Sequence, residues 1–356
     1  MQTALETRTA RPRREHMNKP MTSLSPEQSV ETAHTQPHCA ERNVGDTPLD
    51  VSVLVVAYEN FKHVDASIGG ALDSMGNLRG EILLINCSRD DADHFVARKF
   101  PHVRVFPRAG NLGFGRGNNH LAAHAHGEYI LLLNPDTAPR SDEIARLVAF
   151  ARAHPAAGIC GGRCVTLHGA ADHGSHQPML TPCGVLLSAI GLTKLRGGAL
   201  PYRAVAPQRV PVVSGAFLLI RNDVWRKVGG FDERFFMYAE EVDLCARVMQ
   251  LGYEIWCDPT IIMIHDAGSG APESASRRCN LLRGNATFMR KHHGPIAAEC
   301  ACCFMLLHEV IRLIYAHTLL RLRDAPRSEM LRRRCREVLN ARGTWWMGWP
   351  VGMRFE

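Results

Sequence analysis

Three segments of the chain combine residue types that do chemistry with spacings that would hold them together. In LLLNPDT, Leu131 to Thr137, an apolar run ends directly on an amide and a carboxylate. An Asp just past the carboxyl end of a buried parallel strand stands on the ligand side of a sheet, where it can hold a divalent cation that bridges a diphosphate. The same Asp would equally cap a turn. In FDERFFMYAEEVDLCARVMQLG, Phe231 to Gly252, the residues Val242, Cys245, Val248 and Met249 recur as a helical stripe that Gly252 stops. Glu240 and Glu241 then fall in the first turn, where the helix dipole keeps a carboxylate ionised and able to accept a proton. Surface acids, with Asp243 paired to Arg247, would give the same pattern. In GNLGFGRGNN, Gly110 to Asn119, the glycines would let backbone approach a phosphate ahead of a helix, or simply build a turn. The spacing Gly113-x-Gly115-x-Gly117 is not the GxGxxG of dinucleotide sites, and Asn86 stands where a ribose-binding acid would be sought. A dinucleotide-dependent oxidoreductase is therefore disfavoured.

These residues need a frame, and the apolar runs supply one. Val51 to Tyr58, Glu81 to Cys87, Val103 to Phe106 and Glu128 to Asn134 are nearly continuous apolar stretches, suited to strands covered on both faces. Segments of helical length, His63 to Met75 and Asp91 to Lys99, lie between them. The alternation predicts an α/β fold with a mainly parallel central sheet and ligands at the carboxyl ends of its strands. Further strands are expected at Val212 to Ile220 and Glu254 to Pro259. The stretch from Cys160 to Pro211 reads as irregular, and beyond His265 only helical patterns remain.

Taken together and in this order, the segments resemble the GT-A glycosyltransferases of family 2, especially the rhamnosyltransferase-like bacterial branch. The resemblance rests on NLGFGRGNN (Asn111 to Asn119), LNPD (Leu133 to Asp136), SGAFLLIR (Ser214 to Arg221) and GGFDERFFMYAEEVDLCAR (Gly229 to Arg247). His265 followed by Gly268 and Ser269, and RGNATFMRKH (Arg283 to His292), complete it. It covers roughly residues 50 to 293 and implies a GT-A fold and an inverting transfer from a UDP-, dTDP- or GDP-sugar. It further implies that Asp136 binds Mg or Mn and the donor diphosphate, with His265 near the metal. Glu241 falls at the position of the base, with Glu240 the competing assignment, and Asn118 and Asn119 at donor-site positions. Asn86 replaces the Asp that contacts the nucleotide base in the family, and Glu241 is one methylene longer than the usual Asp. Those two departures leave a catalytically inactive nucleotide-sugar-binding relative as the alternative.

Composition sets the remaining bounds. With 46% apolar and 22% charged residues, the 356-residue chain is of ordinary globular type. Its 12 cysteines lack paired CxxC spacing, so they read as reduced thiols of a cytoplasmic protein rather than zinc ligands. Residues 1–48, with the Arg11, Arg13 and Arg14 cluster and alternative starts at Met17 and Met21, read as a disordered tail ahead of a catalytic domain at 49–293. Residues 294–356 read as a basic helical extension. From Arg277 to Arg342 there are fourteen Lys or Arg against five Asp or Glu, and no nucleic-acid recognition module accompanies them. Phe304, Leu307, Ile311 and Ile314 form an apolar stripe that would either pack on the catalytic domain or lie in an anionic membrane surface, with Trp345, Trp346 and Trp349 suiting either. A polyprenyl-linked glycan acceptor on the inner face of the cytoplasmic membrane is the partner that reading entails.

Overall fold

The computed structural model describes residues 48–59, 61–108, 110–170, 176–193, 204–266 and 274–350. Residues 47–356 form one compact unit. The expected tail, with its arginines and alternative starts, and Gly268 and Ser269 lie outside the described residues.

The apolar runs become the strands they predict: β1 (Leu49–Ala57), β2 (Gly80–Asn86), β3 (Arg104–Phe106) and β4 (Gly127–Leu133). They alternate with α1 (Phe61–Ser74), α2 (Ala92–Lys99) and α3 (Gly113–Ala122), and all pair in parallel in the order β3-β2-β1-β4. Beyond β4 the chain continues through β5 (Thr137–Ala138), α4 (Glu143–Ala153), β6 (Ala157–Val165), β7 (His176–Gln177), α5 (Pro182–Ala189), β8 (Gln208–Arg209), β9 (Val212–Val213), β10 (Phe217–Arg221), α6 (Asn222–Val228), α7 (Glu240–Gln250) and β11 (Glu254–His265). The sheet extends as β4-β10-β6-β11-β5, with β10 running against both neighbours. Alternate side chains of each strand enter two separate cores. Val51, Val53 and Val55 meet α1, α2 and α4 on one face, whereas Leu54 shares the other with α3, α6 and α7.

Two expectations about this region need correction. The strand expected over Val212 to Ile220 is two strands parted by the Ser214–Ala216 turn, and the stretch read as irregular takes in the end of β6 together with β7, α5 and β8. Gly158, Gly161 and Gly162 hide β6 in the sequence, because each lies where a Cβ would strike Tyr253, Val213 or Ile261 and Phe217.

The C-terminal helices are α8 (Ala275–His317), α9 (Leu319–Arg323), α10 (Ala325–Asn340) and α11 (Arg342–Trp345). α8 is two helices joined at a kink, with Gly294 at φ 76°, ψ 172° and Pro295 following. The second half buries its small residues Ala298, Ala301 and Cys302 together with Met305 in a third core shared with α5, α10 and Trp345. Of the expected stripe, Phe304 packs against this core while Leu307, Ile311 and Ile314 point outward. Leu307, Val310, Ile311, Ile314 and Tyr315 are all exposed, while Glu309 is buried against Arg278 at 2.7 Å. Among the described residues no helix is long and apolar enough to cross a membrane, and all described cysteines are free.

Candidate active site

The carboxyl edge of the sheet gathers the chemistry-bearing residues. Beyond β4, Asn134 N–H donates to the Ala216 carbonyl at 3.1 Å, and its own carbonyl accepts from Thr137 N–H at 3.1 Å and the Thr137 hydroxyl at 2.6 Å. That tight turn delivers the chain to β5, whose Thr137 pairs with His265 at the end of β11. Asp266 N–H donates to the Asp136 carbonyl at 2.9 Å. The consequence is that His265 Nε2 lies 3.3 Å from Asp136 Oδ1 and 3.4 Å from Asn134 Nδ2.

Asp136 Oδ1 is buried and has no hydrogen-bond partner. A buried anionic oxygen in that state is costly unless a cation completes it. One carboxylate and one imidazole suit Mg or Mn, which keeps most of its coordination sphere for water and phosphate oxygens. Among the described residues no group of three or more His, Cys, Asp or Glu is gathered for a metal. The residues present thus fit a cation shared with a diphosphate rather than an all-protein cage.

Glu240 and Glu241 open α7 as the stripe predicts, behind Tyr238 and Ala239, which both carry left-handed backbone at φ 67° and 66°. Such backbone costs about 1–3 kcal/mol per non-glycine residue and persists only where surroundings over-determine it. The two glutamates are not equivalent. Glu240 is 5% exposed with Oε2 unpartnered, whereas Glu241 is half-buried and accepts from Gln177 Nε2 at 3.3 Å. Burial, with the neighbouring Glu241 charge, pushes Glu240 well above the ordinary carboxyl range. Burial also raises Glu241, against its own and Val242's backbone N–H groups and Gln177. Desolvation thus opposes the helix dipole at both glutamates, and more strongly at Glu240.

Asp243, the third acid, is fully buried among Arg247 Nε at 2.7 Å, Lys291 Nζ at 2.5 Å and His292 Nε2 at 2.8 Å. Burial pushes it up, yet His292, Arg247 and Lys291 together hold it below the ordinary carboxylate range. It is a structural anion, and the segment Arg283 to His292 is what neutralises it.

The asparagines divide. Asn118 donates to the Phe114 carbonyl at 3.0 Å and keeps a buried Oδ1 without a partner, so it retains an acceptor for a ligand. Asn119 is used at both ends, donating to Phe231 O at 2.9 Å and accepting from Phe231 N–H at 2.8 Å. Both contacts brace the loop ahead of α7. Asn86 is likewise engaged: it is fully buried, donates to Asp90 and Asp93, and accepts from Ser88. Of the glycines of Gly110 to Asn119, Gly110 precedes α3, whereas Gly113, Gly115 and Gly117 lie inside it rather than ahead of it. Gly113 leaves room for the Phe236 carbonyl, and a Cβ at Gly117 would lie 2.8 Å from Val56, so their smallness serves packing rather than a phosphate.

The Ser214–Ala216 turn joins the two halves of the site. Ala216 accepts from Asn134, and a Cβ on Gly215 would stand 3.9 Å from the Glu241 Cβ. Gln177 carried no signal in the sequence, because only the pairing of β7 with β9 brings it to Glu241. Lys291 and His292 lay within a noted motif, and their task is visible only once α8 packs on α7.

Comparison with known proteins agrees with this geometry. The family described as glycosyl transferase family 2 matches residues 52–229, half of the chain. The N-acetylglucosaminyl-diphospho-decaprenol L-rhamnosyltransferase of Mycobacterium tuberculosis is 25% identical over 258 residues, covering 68% of this chain and 84% of that protein. Rhamnosyltransferase WbbL of Escherichia coli is 27% identical over 170 residues, covering 44% of this chain and 62% of its own. The solved mannosyltransferase PcManGT from Pyrobaculum calidifontis, in complex with GDP-Man and Mn2+, superposes with a TM-score of 0.53 at 15% identity, covering 84% of this chain and 87% of that one. That likeness supports the GT-A fold alone. A parallel sheet with its polar edge residues gathered beyond β4 and the family match over half its length carry one conclusion: the chain is a glycosyltransferase of family 2.

Proposed function

We propose that this glycosyltransferase moves a sugar, with inversion, from a nucleotide-diphosphate donor to a polyprenyl-linked glycan. The observation that carries the reading is the pairing across the Ser214–Ala216 turn. A buried Asp136 oxygen 3.3 Å from the His265 ring stands on one side, and a half-buried Glu241 stands on the other. Asp136 and His265 hold Mg or Mn, whose positive charge supports the departing diphosphate when bound. Asn118 offers its free acceptor to the donor. Glu241 accepts the proton of the acceptor hydroxyl as that oxygen attacks the anomeric carbon from the face opposite the diphosphate. As the new bond forms, the bond from the anomeric carbon to the diphosphate oxygen breaks with its electron pair going to that oxygen, and nucleoside diphosphate leaves. A base is most effective when its pKa lies near working pH, and the burial that raises Glu241 moves it in that direction.

The mycobacterial relative is named for a decaprenol-linked acceptor, which favours a lipid-linked glycan here. Release of nucleoside diphosphate from UDP-, dTDP- and GDP-sugars, with a polyprenyl-diphosphate-linked acceptor and Mn, tests the reading. A new glycosidic bond that retains the donor's anomeric configuration would sink it.

The second half of α8 favours seating on the anionic inner face of the cytoplasmic membrane. Its outward stripe of Leu307, Val310, Ile311, Ile314 and Tyr315 lies on the helix that leads to Arg321, Arg323, Arg327, Arg333 and Arg336, all exposed. Apolar burial and attraction to anionic headgroups act together on such a surface. Arg336 lies 3.3 Å from His317, so α10 brings that charge to the end of the stripe. The protein should sediment with phosphatidylglycerol vesicles at low salt and leave them at high salt. Binding that persists in high salt, or none at low salt, would overturn the peripheral arrangement.

A further inference from the structure

The left-handed backbone at Tyr238 and Ala239 sets the direction in which α7 begins, and hence where Glu241 points. Three distant parts of the chain hold that turn. α3 offers Gly113, where a Cβ would collide with the Phe236 carbonyl. α8 offers Gly284, which leaves no space between its backbone and the Tyr238 carbonyl. The third is Trp349, beyond α11 and only 5% exposed. Its indole N–H donates to the Met237 carbonyl at 3.1 Å, and its ring meets the Phe236 ring edge-on at 5.3 Å. Trp349 is itself anchored, with its backbone N–H donating to the Thr287 hydroxyl at 2.8 Å and the Arg283 guanidinium 5.1 Å above its ring. Arg283 is fixed in turn by the Thr344 carbonyl at 2.7 Å. The family match ends at residue 229, so Gly284, Trp349, Thr287 and Arg283 lie beyond it.

We infer that Trp349 is a positioning residue for sugar transfer, holding residues 236–239 so that the Glu241 carboxylate faces the acceptor. The inference rests on Glu241 being the base. An indole is suited to the task because it fills space with a rigid ring and donates from one edge to the Met237 carbonyl. Side chains that fix another group's geometry act on turnover rather than on binding, and an error of about 1 Å can cost about 10²-fold.

The test uses the full chain carrying Trp349→Phe or Trp349→Ala, each alone and combined with Glu241→Gln. Turnover, donor Kd and the pH profile of turnover are the readouts. Trp349→Phe keeps a ring against Phe236 and loses the bond to Met237, so it should fold and carry the test even if Trp349→Ala does not. Turnover should fall about 3- to 10-fold in Trp349→Phe and about 10- to 100-fold in Trp349→Ala, with donor Kd unchanged and the acid limb of the profile displaced. In the Glu241→Gln background neither substitution should lower turnover further. A loss that multiplies with that of Glu241→Gln, or a parallel loss of donor affinity, would overturn the inference. Unaltered turnover in both Trp349 variants, with Glu241→Gln severely impaired, would overturn it alone. Near-normal turnover in Glu241→Gln by itself would overturn the base reading and the Trp349 inference with it.

Discussion

Glu241→Gln should lower turnover by about 10²- to 10⁴-fold while leaving donor affinity nearly unchanged, because it removes the proton acceptor and keeps the side-chain shape. The expected size is that of general base catalysis alone, and initial rates beside calorimetric donor binding would measure it. The pH dependence has a defined sign. Burial raises the Glu241 carboxyl, so turnover should fall on the acid side with a limb above about 4.3, the ordinary Glu value. Glu240→Gln provides the contrast. Glu240 is more deeply buried, lacks a partner at Oε2 and is pushed further up. Its contribution to folding stability is complete below the ordinary Glu pKa and is lost as pH rises through the raised value. Glu240→Gln should therefore flatten the pH dependence of urea unfolding and retain turnover. The opposite pattern, with Glu240→Gln inactive and Glu241→Gln competent, would exchange the two assignments.

Asp136→Asn should abolish the strengthening of donor binding by Mn. The substitution keeps the turn and removes the charge from the oxygen beside His265. Loss of an outer-shell partner alone weakens metal sites by about 10- to 100-fold, and loss of a charged ligand should cost at least that. EDTA should give the same loss in the unmodified protein and have no effect on the variant. Titration of donor into protein with and without Mn reads both. Equal Mn dependence in the variant and the unmodified protein would remove Asp136 from the metal site.

What could be read from the sequence was what local periodicity encodes. The runs of β-branched and leucine residues gave β1, β2 and β4, and the stripe from Val242 to Met249 put Glu240 and Glu241 in the first turn of α7. What stayed hidden depends on partners far along the chain. Asp136 meets His265 only because a two-residue strand pairs with the last residues of β11. Asn86 and Asn119 look like ligand residues until their amides are seen to be consumed within loops. The period of α8 was legible, but not which side faces inward. Close contact with α5 and α10 selects the small residues Ala298, Ala301 and Cys302 for the interior and leaves the larger apolar ones outside.

The anion at Asp243 has a consequence for how the chain assembles during synthesis. Lys291 and His292, two of its three side-chain partners, follow it by 48 and 49 positions. Arg247 partners one oxygen from within α7, but the other carries a desolvation penalty until Lys291 and His292 reach it, so α7 should dock more firmly once that part of α8 is made. Closure of the catalytic edge is therefore expected to finish only with the first half of α8, whereas the β1–β4 half has no such dependence on it. A fragment ending between α7 and Lys291 would keep a sheet whose acidic helix docks less firmly.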